Sequence, residues 1–268
     1  MSSESRYSDI PRDQIPVDLM MDLPSYSVTL VGLRNENAPL HCGVGTLVRF
    51  EEHHFILTAA HCAEPLAKCD QIGLPLGRRY YLKLPVVHPI YVGKRASDEW
   101  GPDLAFLPVP PVEARNMMDV SNRRFYNLER HAREMLRGEP QIENGLWAIV
   151  GTPTFTSNLE DPNKLEFTKM TYSVGVEPPV MRGEFDYIEA RADLRMDNVP
   201  PNFKGVSGGG LWHAEVARLA DGSLALIGEP KLEGCAFYET RPRGEYVYIR
   251  CHGRHSIYEH ALGLIRKR

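Results

Sequence analysis

Cysteine, basic surplus and long apolar runs are all scarce in this sequence, and each scarcity excludes something. Lys and Arg number 31 against 35 Asp and Glu, a net charge of −4. That balance argues against bulk nucleic-acid binding, which wants a basic surface. No segment approaches the roughly 18 consecutive apolar residues of a membrane span, so no membrane association is expected. The stretch from Met1 to Asp9 has no apolar run of the secretory type, and a cytoplasmic location is expected. Five cysteines (Cys42, Cys62, Cys69, Cys235, Cys251) are an odd and sparse set for a disulfide framework. A reducing compartment would hold them as thiols. His41-Cys42 and His61-Cys62 offer zinc-ligand residue types, yet adjacent residues on a strand point to opposite faces. No C-x2-C pair occurs either, so neither metal nor cofactor is expected.

What is present fits an ordinary soluble globular protein, with 43% hydrophobic and 25% charged residues. At 268 residues the chain forms one large domain or two small ones with a sizeable core. Residues 1–24 carry Pro11, Pro16 and Pro24 with little periodicity and read as an extended arm. Strand-like runs follow over Tyr26–Leu33, His41–Phe50, Phe55–Thr58 and Arg78–Pro89. An amphipathic pattern built on Phe125, Leu128, Met135 and Leu136 predicts a helix over 121–138, its Arg residues interleaved with Glu as on a solvated face. Further strand-like runs are Leu146–Val150, Lys169–Val176, Phe185–Arg191, Gly210–Val216, Leu224–Ile227, Leu232–Tyr238 and Tyr246–Cys251. Their spacing suits an all-β barrel or sandwich. The end, Ser256–Arg268, reads as a helix with Ser256 as N-cap and Glu259 completing a capping box.

Three stretches carry candidate chemistry. In Gly205-Val206-Ser207-Gly208-Gly209-Gly210 the glycines allow φ > 0 and close backbone approach. Such a loop is an ordinary turn, or it presents a serine oxygen beside N–H groups that could hold an oxyanion. A serine nucleophile needs a base and a group to orient that base. His61, at the end of the apolar run Phe55–Thr58, is either a core imidazole or that base. Asp103 opens the apolar run Leu104–Leu107; it is either a solvated loop residue or a buried carboxylate with a partner, since burying a lone one is costly. His53, His54, His131 and His213 read as turn, helix or strand residues, and His252 is the one rival base.

Together, Thr58-Ala59-Ala60-His61-Cys62, Asp103-Leu104-Ala105-Phe106-Leu107 and Gly205-Val206-Ser207-Gly208-Gly209 closely resemble the three signature segments of the trypsin/chymotrypsin family of serine proteases. The order His, Asp, Ser is also that family's. The resemblance is expected to be one to bacterial-type, non-secreted members. It implies an all-β fold of two antiparallel six-stranded barrels with the site in the crevice between them. The expected division is an arm 1–24, a first barrel 25–111, a helical insertion 112–143, a second barrel 144–255 and a terminal helix 256–268. The resemblance further implies that Ser207 is the nucleophile, His61 its general base and acid, and Asp103 the orienting carboxylate. The N–H groups of Gly205 and Ser207 would form the oxyanion hole.

Departures from the family pattern carry their own expectations. Val206 stands where secreted members hold an Asp for pairing with a freed N-terminal amine, so activation by propeptide cleavage is not expected. Pro201 stands where trypsin-type members hold a pocket Asp, so Arg or Lys preference is not expected. Phe237, Tyr238 and Tyr246 are implied to line the substrate edge, favouring a small or apolar residue before the scissile bond. Cys42 and Cys62 match a disulfide position of secreted relatives and are expected here as neighbouring thiols. The partner is then a protein or peptide substrate. A second reading is a latent or inactive protease-like binding module controlled by a partner protein.

Overall fold

The computed structural model describes Leu19 and residues 22–34, 37–76, 81–85, 87–93, 99–142, 144–158, 166–196, 199–200, 202–220 and 223–267. Of the expected arm, Leu19 is buried, and a 3-10 turn at Leu23–Tyr26 buries Leu23 and Tyr26; most of the rest lies outside the described residues.

The first sheet contains β1 (Ser27–Arg34), β2 (Asn37–Phe50), β3 (His53–Thr58), β4 (Gln71–Pro75), β5 (Tyr81–Pro85), β6 (Ile90–Gly93), β7 (Leu104–Val109) and the short β8 (Tyr126–Asn127). Its order is β5-β4-β1-β2-β3-β7-β6, with β8 lying parallel on β2. The outermost strands β5 and β6 are consecutive in sequence. Proline has no N–H to give a ladder, and Pro89 falls just before β6. One broken run therefore pairs with β4 by its first half and with β7 by its second, closing six antiparallel strands on themselves.

The second sheet is closed by the same device. It contains β9 (Leu146–Gly151), β12 (Met170–Ser173), β13 (Gly175–Val176), β14 (Val180–Arg182), β15 (Phe185–Asp193), β16 (Gly210–Arg218), β17 (Leu224–Glu239) and β18 (Tyr246–His252). A separate ribbon pairs β10 (Ser157–Asn158) with β11 (Glu166–Phe167). The order β12-β9-β16-β17-β18-β15-β13 again ends on two consecutive pieces, β12 and β13, bent at Val174. Strand β15 shows the two-residue alternation that makes such a barrel: Ile188, Ala190 and Ala192 are buried while Glu189, Arg191 and Asp193 are less so. Leu30, Leu47, Ile56 and Leu107 fill the first barrel; Ile149, Ile188, Leu211 and Ile249 fill the second. Between them, the ring of Trp212 lies 5.1 Å from Tyr26 and 5.3 Å from Tyr126. This aromatic cluster joins the entry turn and β8 to β16.

The helices differ from expectation in position. After α1 (Ala60–Leu66), α2 (Pro111–Ser121) ends where the expected helix over 121–138 begins, and within that span the helix is α3 (Leu128–Met135). Asn122 ends α2 in the left-handed conformation at φ 52°. Phe125 and Tyr126 then turn inward as buried residues, and the Asn127 side chain accepts the Arg130 N–H at 3.1 Å to start α3. The runs Leu224–Ile227 and Leu232–Tyr238 belong to one strand, β17. At the C-terminus a π-helical stretch, His255–Ala261, leads into α4 (Leu262–Arg266). Ser256 does not cap it. The Asp186 carboxylate of β15 does, accepting the N–H groups of His255 at 3.0 Å and Ser256 at 2.7 Å. No helix among the described residues is long and apolar enough to cross a membrane.

Candidate active site

The antiparallel pairing of β3 with β7 sets Thr58 opposite Ala105. The chain leaving β3 is thereby brought beside the chain entering β7. His61 sits in the first turn of α1 and Asp103 immediately before β7, so the two meet at this end of the barrel. The His61 backbone N–H donates to Asp103 Oδ1 at 2.9 Å, and His61 Nδ1 lies 2.6 Å from Oδ2. Asp103 is 1% exposed, whereas the His61 ring is 30% exposed. Burial alone would raise the Asp103 carboxyl, but the His61 hydrogen bonds and charge hold it below the usual carboxylate range. An ionised carboxylate only accepts, so the short bond keeps the proton on Nδ1 and leaves Nε2 with the basic lone pair. Nε2 lies 3.5 Å from the sulfur of Cys62, whose thiol is held protonated by burial.

Ser207 arrives from the second barrel. Gly208 N–H donates to Ala236 O at 2.7 Å and Ala236 N–H to Gly209 O at 2.9 Å, carrying the β16–β17 ladder into the loop. Val44 of β2 donates its N–H to the Ser207 carbonyl at 2.8 Å, so the serine's backbone is stitched to the barrel that bears His61. The Cys62 thiol also reaches Ser207 O, at 3.6 Å. Glycine is required on both sides of this seam. A Cβ on Gly43 would lie 2.8 Å from Ser207 O, and one on Gly208 would lie 1.8 Å from Val44 O. Val206, Gly208 and Gly209 all spend their N–H groups within the fold, while those of Gly205 and Ser207 donate to no acceptor among the described residues. The hydrogen bond expected between Ser207 Oγ and His61 Nε2 is not formed in this structure. Such contacts are often long before substrate binds.

Beneath the carboxylate lies a buried polar chain that sequence reading did not assemble. His252, fully buried, accepts the Asp103 N–H on Nε2 at 2.9 Å, and its Nδ1 faces Ser256 Oγ at 3.4 Å. Ser256 Oγ in turn donates to the Asp186 carboxylate at 2.8 Å. Burial lowers the pKa of His252 to about 4, against the opposing pull of the Asp103 and Asp186 charges. The unfolded chain therefore takes up a proton near 6.5 that the native chain refuses until about 4. Stability contributed by the neutral ring is complete above pH 6.5 and disappears as pH falls to about 4. The expected loss is on the order of 3 kcal/mol, read as a falling urea midpoint between pH 7 and pH 4. A midpoint as steep in His252→Phe as in the native chain would contradict the assignment.

The residues implied to contact substrate occupy different settings. Pro201 lies outside the described residues. Phe237 is 5% exposed and packs against His252, with ring centroids 4.7 Å apart. Tyr238 is partly open, the Arg250 guanidinium 5.3 Å over its ring. Tyr246 opens β18, at the opposite end of that strand from His252. Two further features were invisible to sequence reading. Glu239 accepts the Phe203 N–H at 3.1 Å, joining the end of β17 to the serine loop. Trp100, just ahead of Asp103, is sandwiched between Arg182 at 3.9 Å and Arg250 at 3.8 Å. None of the five cysteines is in a disulfide; a Cβ on Gly32 would lie 3.5 Å from the Cys42 sulfur and 2.5 Å from that of Cys69, while the Cys62 sulfur borders Gly43.

No protein-family model matches this sequence, and no curated protein matches it either. Neither comparison supports a bacterial-type subfamily. Among solved structures the chain is similar to the Drosophila Grass clip serine protease of the Toll pathway. The TM-score is 0.53 at 13% sequence identity, over 90% of this chain and 69% of that one. At that identity the likeness shows the fold, a two-barrel chymotrypsin-like architecture.

Proposed function

We propose that this chymotrypsin-like chain is a serine endopeptidase that hydrolyses peptide bonds through an acyl-enzyme. The observation that carries the reading is the doubly bonded His61–Asp103 pair, set in the seam where Val44 holds the backbone of Ser207. A peptide carbonyl enters beside Ser207. Oγ forms a bond to the carbonyl carbon as its proton passes to His61 Nε2, and the imidazolium is stabilised by Asp103. The unspent N–H groups of Gly205 and Ser207 would receive the oxyanion. Collapse breaks the C–N bond, the leaving amine takes the proton from Nε2, and the acyl group stays on Oγ. Water, deprotonated by the same nitrogen, releases the acid and restores the serine.

Val206 is buried against Gly151, offers no carboxylate to a freed amine, and fits activity without propeptide cleavage. Pro201 fits a pocket without Arg or Lys preference. Five cysteines outside any disulfide suit a reducing compartment such as the cytoplasm. A second reading, a latent module switched by a partner protein, is favoured by one observation: His61 Nε2 faces the Cys62 sulfur rather than Ser207 Oγ.

The test is covalent labelling. A fluorophosphonate is expected to add one equivalent to the folded chain at Ser207, and none when His61 is replaced by alanine. A folded chain that stays unlabelled would overturn the active-enzyme reading in favour of the partner-controlled one.

A further inference from the structure

Both oxygens of Asp103 are committed to His61, one to its backbone N–H and one to Nδ1. Among the described residues no other donor holds the carboxylate. Its direction is therefore set from behind, by the backbone of Asp103 itself, and that backbone is pinned where its N–H meets His252 Nε2 at 2.9 Å. We propose that His252 is a positioning residue of the acyl-transfer site, fixing the Asp103 carboxylate and through it the His61 ring.

The ring is suited to that task because it is closely enclosed. It is fully buried, with the rings of Phe237, Tyr187 and Phe185 at 4.7, 5.1 and 5.8 Å. Its tautomer is fixed as well. Nε2 accepts, so Nδ1 carries the hydrogen, directed at Ser256 Oγ, whose own hydrogen goes to Asp186. Asp186 is anchored by the N–H groups of His255 and Ser256, and Gly253 lets it approach: a Cβ there would lie 2.3 Å from Asp186 Oδ2. The chain of bonds thus runs from the start of the terminal helix to the orienting carboxylate. A donor left unpaired at this depth costs enough to shift the backbone that carries it.

This inference rests on the endopeptidase reading, and its test separates the two. His252→Phe keeps the aromatic packing and removes the acceptor; His252→Gln restores an acceptor. The first readout is independent of turnover: the far-downfield proton resonance of His61 Nδ1–H in its short bond to Asp103. It is expected to move or broaden in His252→Phe and to return in His252→Gln. With an activated acyl ester, kcat is expected to fall about 10- to 100-fold in His252→Phe with KM within about twofold, and to recover most of that loss in His252→Gln. Should His252→Phe not fold, Ser256→Ala frees the far side of the ring and is expected to move the same resonance. An unmoved resonance in the folded variants overturns the positioning role, as does His252→Gln behaving like His252→Phe. A resonance that responds in a chain that fluorophosphonate never labels leaves the positioning standing and removes the endopeptidase reading instead.

Discussion

Replacing Ser207 with alanine is expected to lower kcat for an activated acyl ester or a cleaved peptide on the order of 10⁶-fold, with KM little changed. On the proposed acyl-transfer reading the loss is that large because nucleophile and base act as one unit. Without Oγ, His61 has no oxygen to activate except water, and any surviving rate comes from the oxyanion donors alone. Asp103→Asn is expected to cost about 10⁴-fold by a different route. An amide nitrogen facing His61 Nδ1 is a donor, so it forces the ring proton onto Nε2, where the base is needed. With Asp103 only 1% exposed, solvent cannot step in to repair the tautomer. Steady-state kinetics on both variants checks this. Turnover in Ser207→Ala above about a hundredth of the native rate would remove the serine from the chemistry.

The second large effect is on folding. Gly208→Ala is expected to destabilise the chain by about 3–5 kcal/mol, measured as a shift in urea midpoint at constant slope. Its backbone has φ +89°, which L side chains avoid, and its Cβ would sit 1.8 Å from Val44 O and 2.3 Å from Thr58 Oγ1. Both obstacles are tied down: Thr58 Oγ1 donates to Val44 O at 2.7 Å, and the Val44 N–H holds Ser207 O. Neither can yield without opening the join between the barrels. Gly183 supplies the control. It also has positive φ, +61°, but open space around it, so Gly183→Ala is expected to cost only about 1 kcal/mol. Equal losses at the two positions would mean that backbone conformation, not the join, sets the cost.

Sequence reading placed most strands because their inward residues alternate, as in β15, or run apolar throughout, as in β7 and β9. It missed β4, whose residues Gln71–Pro75 are few and begin on a polar side chain. It also extended one helix over 121–138, where the helix is only Leu128–Met135, and placed none over Pro111–Ser121. Phe125 falls on the apolar stripe of the expected 121–138 helix, yet it and Tyr126 are buried where β8 docks on β2, a contact distant in sequence. The site divides along the same line. His61, Asp103 and Ser207 lie in short local motifs and could be singled out before their distances were known. His252, Asp186 and Ser256 form a chain only after β18, β15 and the terminal helix have packed, and no local spacing announces them. Glu239 was hidden likewise, because its partner is a backbone N–H on another loop.

The bond from Val44 to Ser207 O also ties the two halves together beside the serine. On the endopeptidase reading this places a cross-barrel tie beside the proposed nucleophile, so a swing of one barrel on the other would strain that tie and shift Ser207. Control by another protein is then expected to act on the loops around the serine rather than by separating the halves.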